Sequence, residues 1–81
     1  MKIIWDERKR LSNLEKHGLD FALLSSEWLS ALEARPAKHG RRMVVGELDG
    51  RMVLVIFARL GVEAVSIVSM HNVDPDRIRR L

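Results

Sequence analysis

The chain carries three histidines, His17, His39 and His71, and fourteen lysines and arginines against eleven acidic residues. Histidine is the side chain whose ordinary pKa allows proton transfer near neutrality. Arginine and lysine hold phosphate and carboxylate groups through charge-assisted hydrogen bonds. The inventory therefore points to chemistry on an anionic ligand. There is no cysteine, which excludes a thiol nucleophile, a disulfide-stapled fold and a cysteine-based zinc finger. Histidines at 17, 39 and 71 show no metal-ligand spacing, and no Walker loop, dinucleotide fingerprint or triad motif is present. No metal and no cofactor are expected.

Positive charge concentrates in the middle of the chain. Residues 35–59 hold Arg35, Lys38, Arg41, Arg42, Arg51 and Arg59 against only Glu47 and Asp49. Such a patch attracts phosphate and steers nucleic acid. It equally suits an ordinary solvated loop and strand edge. At 81 residues the chain is too short for two cores, so residues 1–81 are read as one domain. Hydrophobic residues make up 47%, too many for a disordered chain. The longest apolar run is Met52 to Ala58, whereas a membrane helix needs about 20 residues. The N-terminus turns charged at Asp6-Glu7, which leaves no signal-peptide core. A cytoplasmic location with no membrane partner is the expectation.

The sequence also outlines a scaffold for these side chains. Ile3-Ile4-Trp5 is a short strand candidate. Asp6 is placed to cap a helix over Glu7–His17, with Leu11 and Leu14 on one face and Gly18 stopping it in the left-handed conformation. Asp20 caps a second helix in which Phe21, Leu24, Trp28, Ala31 and Leu32 form an apolar stripe, with Ser25 and Ser26 facing away and Pro36 ending it. Residues 35–40 form a polar connection. Arg41–Leu48 and Arg51–Ala58 flank Asp49-Gly50, the pair that a two-residue type I′ hairpin turn demands. Leu60-Gly61 marks a second turn, Glu63–Met70 a third strand, and Asp74-Pro75 the start of a short helix to Leu81. The expected fold is α+β, with two N-terminal helices packed on an antiparallel sheet of three to four strands and a short C-terminal helix.

Strand pairing follows if both turns have two residues. Arg42 then faces Phe57, Val44 faces Val55, Phe57 faces Ala64 and Val55 faces Ser66. One sheet face collects Met43, Val45, Leu54, Ile56, Val65 and Ile67, and is assigned to the helix-covered core. The other collects Val44, Val53, Val55, Phe57, Ser66, Val68 and Met70, with Arg42 and Arg59 toward one end. That face is expected to form an interaction surface, or to lie under the C-terminal helix or a second copy of the chain in a homodimer. One residue more in either turn would exchange the faces.

Trp5-Asp6, Lys9, Asn13, Lys16-His17-Gly18 and Phe21 resemble the N-terminal signature of the BrnT-type toxins. Arg42, Val45-Gly46, Gly50-Arg51, Arg59 and Ile67-Val68-Ser69-Met70 continue the likeness in register over nearly the whole chain. The resemblance implies the toxin of a type II toxin–antitoxin system with a RelE-like fold, an endoribonuclease that cleaves RNA without a metal. It implies a BrnA-like ribbon-helix-helix antitoxin as partner, with operator DNA reached only through that antitoxin. The chain departs from the family pattern at Ser66 and His71, where arginine is usual, and at Arg77 and Leu81, where glutamate and tyrosine are usual. The alternative those departures raise is a homologue without catalysis that only binds antitoxin or nucleic acid.

Metal-free RNA cleavage needs a base for the 2′-hydroxyl proton, cations for the pentacovalent phosphate and an acid for the leaving 5′-oxygen. Lys16, His17, Arg42, Arg59 and His71 are the catalytic candidates. Arg42 and Arg59 share a face and would clamp phosphate, or are an ordinary surface pair. His17 would border the groove, or simply oppose the dipole at its helix C-terminus. His71 would do acid–base work in place of the family's arginine, or is a loop histidine. His39 is given no catalytic role. Trp5, Phe21 and Trp28 are read as core, and Phe57 as an aromatic able to stack on a base.

Overall fold

The computed structural model describes residues 1–74. The expected C-terminal helix, with Arg77 and Leu81, lies outside them. Strand β1 (Lys2–Trp5) leads into helix α1 (Glu7–His17). A single 3-10 turn (Phe21–Leu23) and a short helix α2 (Ser26–Ser30) follow. The rest is strand: β2 (Arg35–Pro36), β3 (Arg42–Leu48), β4 (Arg51–Leu60) and β5 (Ala64–Asn72). The five strands form one sheet in the order β1-β5-β4-β3-β2. The fold is α+β as expected, but the sheet is mixed and wider than expected. β1 pairs with β5 in parallel, Lys2 opposite Ala64 through Trp5 opposite Ile67, and Arg35-Pro36 adds an edge strand to β3. Proline is tolerated there because an edge strand can leave one side without donors.

The first hairpin matches its sequence. Asp49 (φ 50°) and Gly50 (φ 78°) both take the left-handed conformation of a type I′ turn. The pairing runs from Arg42 opposite Phe57 to Leu48 opposite Arg51. The second hairpin does not. Leu60 pairs with Ala64, so the loop has three residues, Gly61-Val62-Glu63. β5 also contains a bulge, because Ile56 pairs with Ser69 while Phe57 pairs with Ile67, leaving Val68 extra. These two irregularities bring Val65, Ile67 and Met70 onto the same face as Val44, Val53, Val55 and Phe57.

That face, and not the one carrying Met43 and Ile56, is the core. Val44, Val53, Val55, Phe57, Val65, Ile67 and Met70 are buried with Leu19, Phe21, Leu24 and Leu29 of the helical layer. The expected face assignment is therefore corrected. Met43, Val45, Leu54 and Ile56 are only partly buried and lie on the face away from the helices.

The helical layer also departs from a single amphipathic helix. Asp20 caps only the 3-10 turn, accepting from the Ala22 amide at 2.9 Å. Ser25 then starts α2, its Oγ accepting from the Trp28 amide at 3.1 Å. The serine pair at 25–26 is thus a cap in mid-segment, the position these short side chains favour by competing with the backbone. Trp28 Nε1 donates to the Glu47 carbonyl at 2.7 Å, and Gly46 beneath leaves room for Leu32 and Trp28. A Cβ at Gly46 would sit 2.7 Å from Leu32 Cδ1 and 3.2 Å from Trp28 Cζ2.

Helix α1 packs unusually. Leu11, expected on its buried face, is half exposed. Asn13 is the buried polar side chain among the described residues. Its Nδ2 donates to the Leu19 carbonyl at 3.2 Å, and its Oδ1 accepts from the Met70 amide at 3.1 Å. β1 stops at the level of Ile67, and α1 takes over the β5 edge beyond it. Arg10 adds a second tie, donating to Glu7 at 2.6 Å and to Asp20 at 3.1 Å. Asn13→Ala should strand a buried amide and a buried carbonyl and cost about 2–3 kcal/mol by urea unfolding. A loss below about 0.5 kcal/mol would show that water replaces the side chain without cost.

Candidate active site

The packing of α1 against β5 leaves a cleft of ≈ 380 Å³ between them. α1 contributes Arg8, Lys9, Ser12, Asn13, Lys16 and His17, and β5 contributes Val68, Ser69 and His71. The spacing explains the convergence: residues 8, 12 and 16, and 9, 13 and 16, fall on one side of an α-helix. Arg8, Lys9 and Lys16 make the lining cationic, and among the described residues it includes no carboxylate.

Two histidines meet at the C-terminal end of α1. The His17 and His71 rings stand edge to face with centroids 4.7 Å apart. Gly18 (φ 67°) ends α1 in the left-handed conformation, its amide returning to the Leu14 carbonyl at 2.8 Å. Asn72 Nδ2 donates to the His17 carbonyl at 3.0 Å. That bond holds the last turn of α1 against the end of β5, and so holds His17 beside His71. His71 Nε2 lies 3.0 Å from Ser69 Oγ. Partial burial, and then the positive charge of His17, lower the His71 pKa below its ordinary value of 6.5. Burial and the neighbouring ring thus both act against the protonated form of His71.

Three of the candidate residues, Lys16, His17 and His71, come together here. Arg42 and Arg59 do not. Arg42 pairs with Phe57, and Arg59 lies two residues further along β4. Both therefore share the helix-covered face, at the end of the sheet away from His71, and neither lines the cleft. Their expected place on an open platform is corrected, because it rests on a two-residue second turn that the chain does not form. Phe57 is buried in the core and presents no ring for a base. His71 instead pairs with Leu54, which puts it on the sheet face opposite the buried core.

Comparison with known proteins settles the family. The family described as ribonuclease toxin, BrnT, of type II toxin–antitoxin system matches residues 5–76. The chain belongs to the BrnT ribonuclease toxin family. A 1.1 Å crystal structure of the Brucella abortus ribonuclease toxin BrnT shares 47% sequence identity. It superposes with a TM-score of 0.84 over 91% of this chain and 97% of that one. No curated protein sequence matches at a significant level. Like that BrnT, the chain sets helices against a single sheet, and among its described residues no helix is long and apolar enough to cross a membrane.

Arg8, Ser12 and Ser69 of the cleft lining, and Asn72 that braces it, are residues that sequence reasoning missed. The i, i+4 repeat of Arg8, Ser12 and Lys16 was available as a signal. The role of Asn72 was not, because its partner is 55 positions away. A histidine whose folded pKa is lowered takes up its proton more readily when unfolded. Stability should therefore be greatest above pH 6.5 and fall as pH drops through that value toward the folded pKa. An NMR titration should place His71 below 6.5, and His17→Gln should raise it part of the way back. A His71 midpoint at or above 6.5 would contradict the geometry.

Proposed function

We propose that this BrnT-family toxin cleaves RNA at the His17–His71 pair without a metal. The observation that carries the reading is two touching histidines at the head of a cationic cleft whose described lining residues include no carboxylate for a divalent ion. Neutral His71 accepts the proton of a ribose 2′-hydroxyl. The 2′-oxygen attacks phosphorus, and charge builds on the non-bridging oxygens, where Lys16 stabilises it with Arg8 and Lys9 behind. The bond to the 5′-oxygen breaks, and protonated His17 supplies that oxygen with a proton. The products are a 2′,3′-cyclic phosphate and a free 5′-hydroxyl. A positive charge on one ring disfavours a second on its neighbour, which suits the two rings to opposite roles, one as base and the other as acid.

Family membership supports a wider setting for this reading. A BrnA-like ribbon-helix-helix antitoxin holds the toxin inactive in the cytoplasm and carries the complex to operator DNA. The helices set against one five-stranded sheet are in keeping with a RelE-like architecture. Arg42 and Arg59 are given no part in the chemistry.

Purified protein should cleave RNA in EDTA and leave 2′,3′-cyclic phosphate ends. A folded sample that binds RNA without cutting it would assign the chain to binding alone, with the departures at Ser66 and His71 as the reason. His71→Gln should lower kcat/KM by about 10²-fold or more, the usual worth of a general base. The ascending limb of the pH–rate profile should lie below pH 6.5, because His71 must be neutral to act. Arg42→Ala and Arg59→Ala should each cost less than about tenfold, since neither can reach charge developing in the cleft. A larger loss from either would move the chemistry to the other end of the sheet.

A further inference from the structure

The sheet face opposite the core carries a second hollow, of ≈ 720 Å³, away from the cleft. Met43 and Ile56 line it together with Lys38, His39 and Arg41, and none of its described lining residues is acidic. Strand register links it to the catalytic pair. Ser69, Ile56, Met43 and Arg35 pair in succession across β5, β4, β3 and β2, forming one transverse row. Ser69 is the residue hydrogen-bonded to His71. Adjacent strands lie about 4.8 Å apart, so Met43 is about 10 Å across the sheet from Ser69.

The loop at the hollow is held in an uncommon shape. His39 has φ 62° and Gly40 φ 71°, two successive left-handed residues. The conformation is natural for glycine and costly for histidine. The Ala37 amide closes the loop onto the Arg41 carbonyl at 2.8 Å. Backbone strain of this kind persists where the surrounding structure enforces it, often at ligand-binding positions. Here it gathers three basic side chains around an apolar patch.

We propose that this hollow is a second nucleotide subsite, which takes an unpaired base against Met43 and Ile56 and a flanking phosphate on Lys38 and Arg41. The inference rests on the reading that RNA enters at His71, and it makes the substrate single-stranded. The base must leave its helix to meet an apolar surface, which a paired base cannot do. Charge complementarity favours a polyanion over a neutral peptide, and the transverse row provides an apolar path free of acidic side chains from Ser69 to the hollow. A strand anchored at both ends is held in register at the scissile bond.

The test separates binding from cutting. Fluorescence anisotropy with a 2′-O-methylated single-stranded octamer, which cannot be cleaved, reads the subsite directly. The double substitution K38A/R41A should raise its Kd at least tenfold and lower the slope of log K against log salt by about 0.7 for each phosphate no longer neutralised. In cleavage assays the same variant should lower the ratio of kcat/KM for an octamer over that for a dinucleoside monophosphate at least tenfold. The dinucleotide carries only the scissile phosphate and cannot span the row. Tight octamer binding that K38A/R41A abolishes supports the subsite even if the wild type cuts nothing, an outcome that would instead sink the ribonuclease chemistry. Octamer affinity unaltered by K38A/R41A overturns the subsite and leaves that chemistry standing. Unaltered octamer affinity together with escape from antitoxin inhibition would overturn it in favour of an acidic antitoxin segment on this face.

Discussion

The Asn13 carboxamide is the interaction on which the cleft depends. One side chain accepts from the β5 backbone at Met70 and donates to the turn at Leu19. A buried amide with both ends satisfied is favourable, and with either end stranded it is costly. It replaces the strand partner that β5 lacks once β1 has ended. A helix thereby occupies a sheet edge, and the polar side of that helix, rather than an apolar one, faces the end of β5. Arg8, Lys9 and Lys16 are aimed into the cleft by this arrangement and not by any hydrophobic stripe. Asn72 completes the attachment by binding the last turn of α1.

The electrostatics divide α1 into two sides with different tasks. On one side Arg10 is consumed by Glu7 and Asp20, which hold helix and turn together. Hydrogen bonds from Arg10, and then from Trp5, lower the Glu7 pKa; the Ala22 amide, and then Arg10, lower that of Asp20. On the other side Arg8, Lys9 and Lys16 share the cleft with no carboxylate among its described lining residues. A lining of that charge is suited to an anion. The His71 shift belongs to the same field: burial and a neighbouring histidine both act against its protonated form.

Parts of this fold were legible because single residues dictate them. Asp49-Gly50 admits one turn type, and the pairing it implies between β3 and β4 is the observed one. Asp6 and Gly18 bound α1 where expected. The second hairpin was illegible because Leu60-Gly61 is compatible with loops of two or three residues, and nothing marks Val68 as a bulge. A period of two makes such a difference decisive, since every β5 side chain before the bulge changes face. The consequence reaches the site: a two-residue turn puts Arg42 and Arg59 on the open face and Met43, Leu54 and Ile56 in the core. Lys16, His17 and His71 were legible as residues, but the contact between the two histidines depends on Asn13 and Asn72, whose partners are remote in sequence.

Chemical rescue tests most directly whether His71 moves a proton during RNA cleavage. In His71→Ala, with folding verified, cleavage should fall by about two orders of magnitude or more. Free imidazole added to that variant should restore the rate in proportion to its neutral fraction. A folded His71→Ala protein cleaving at the wild-type rate without imidazole would contradict the account.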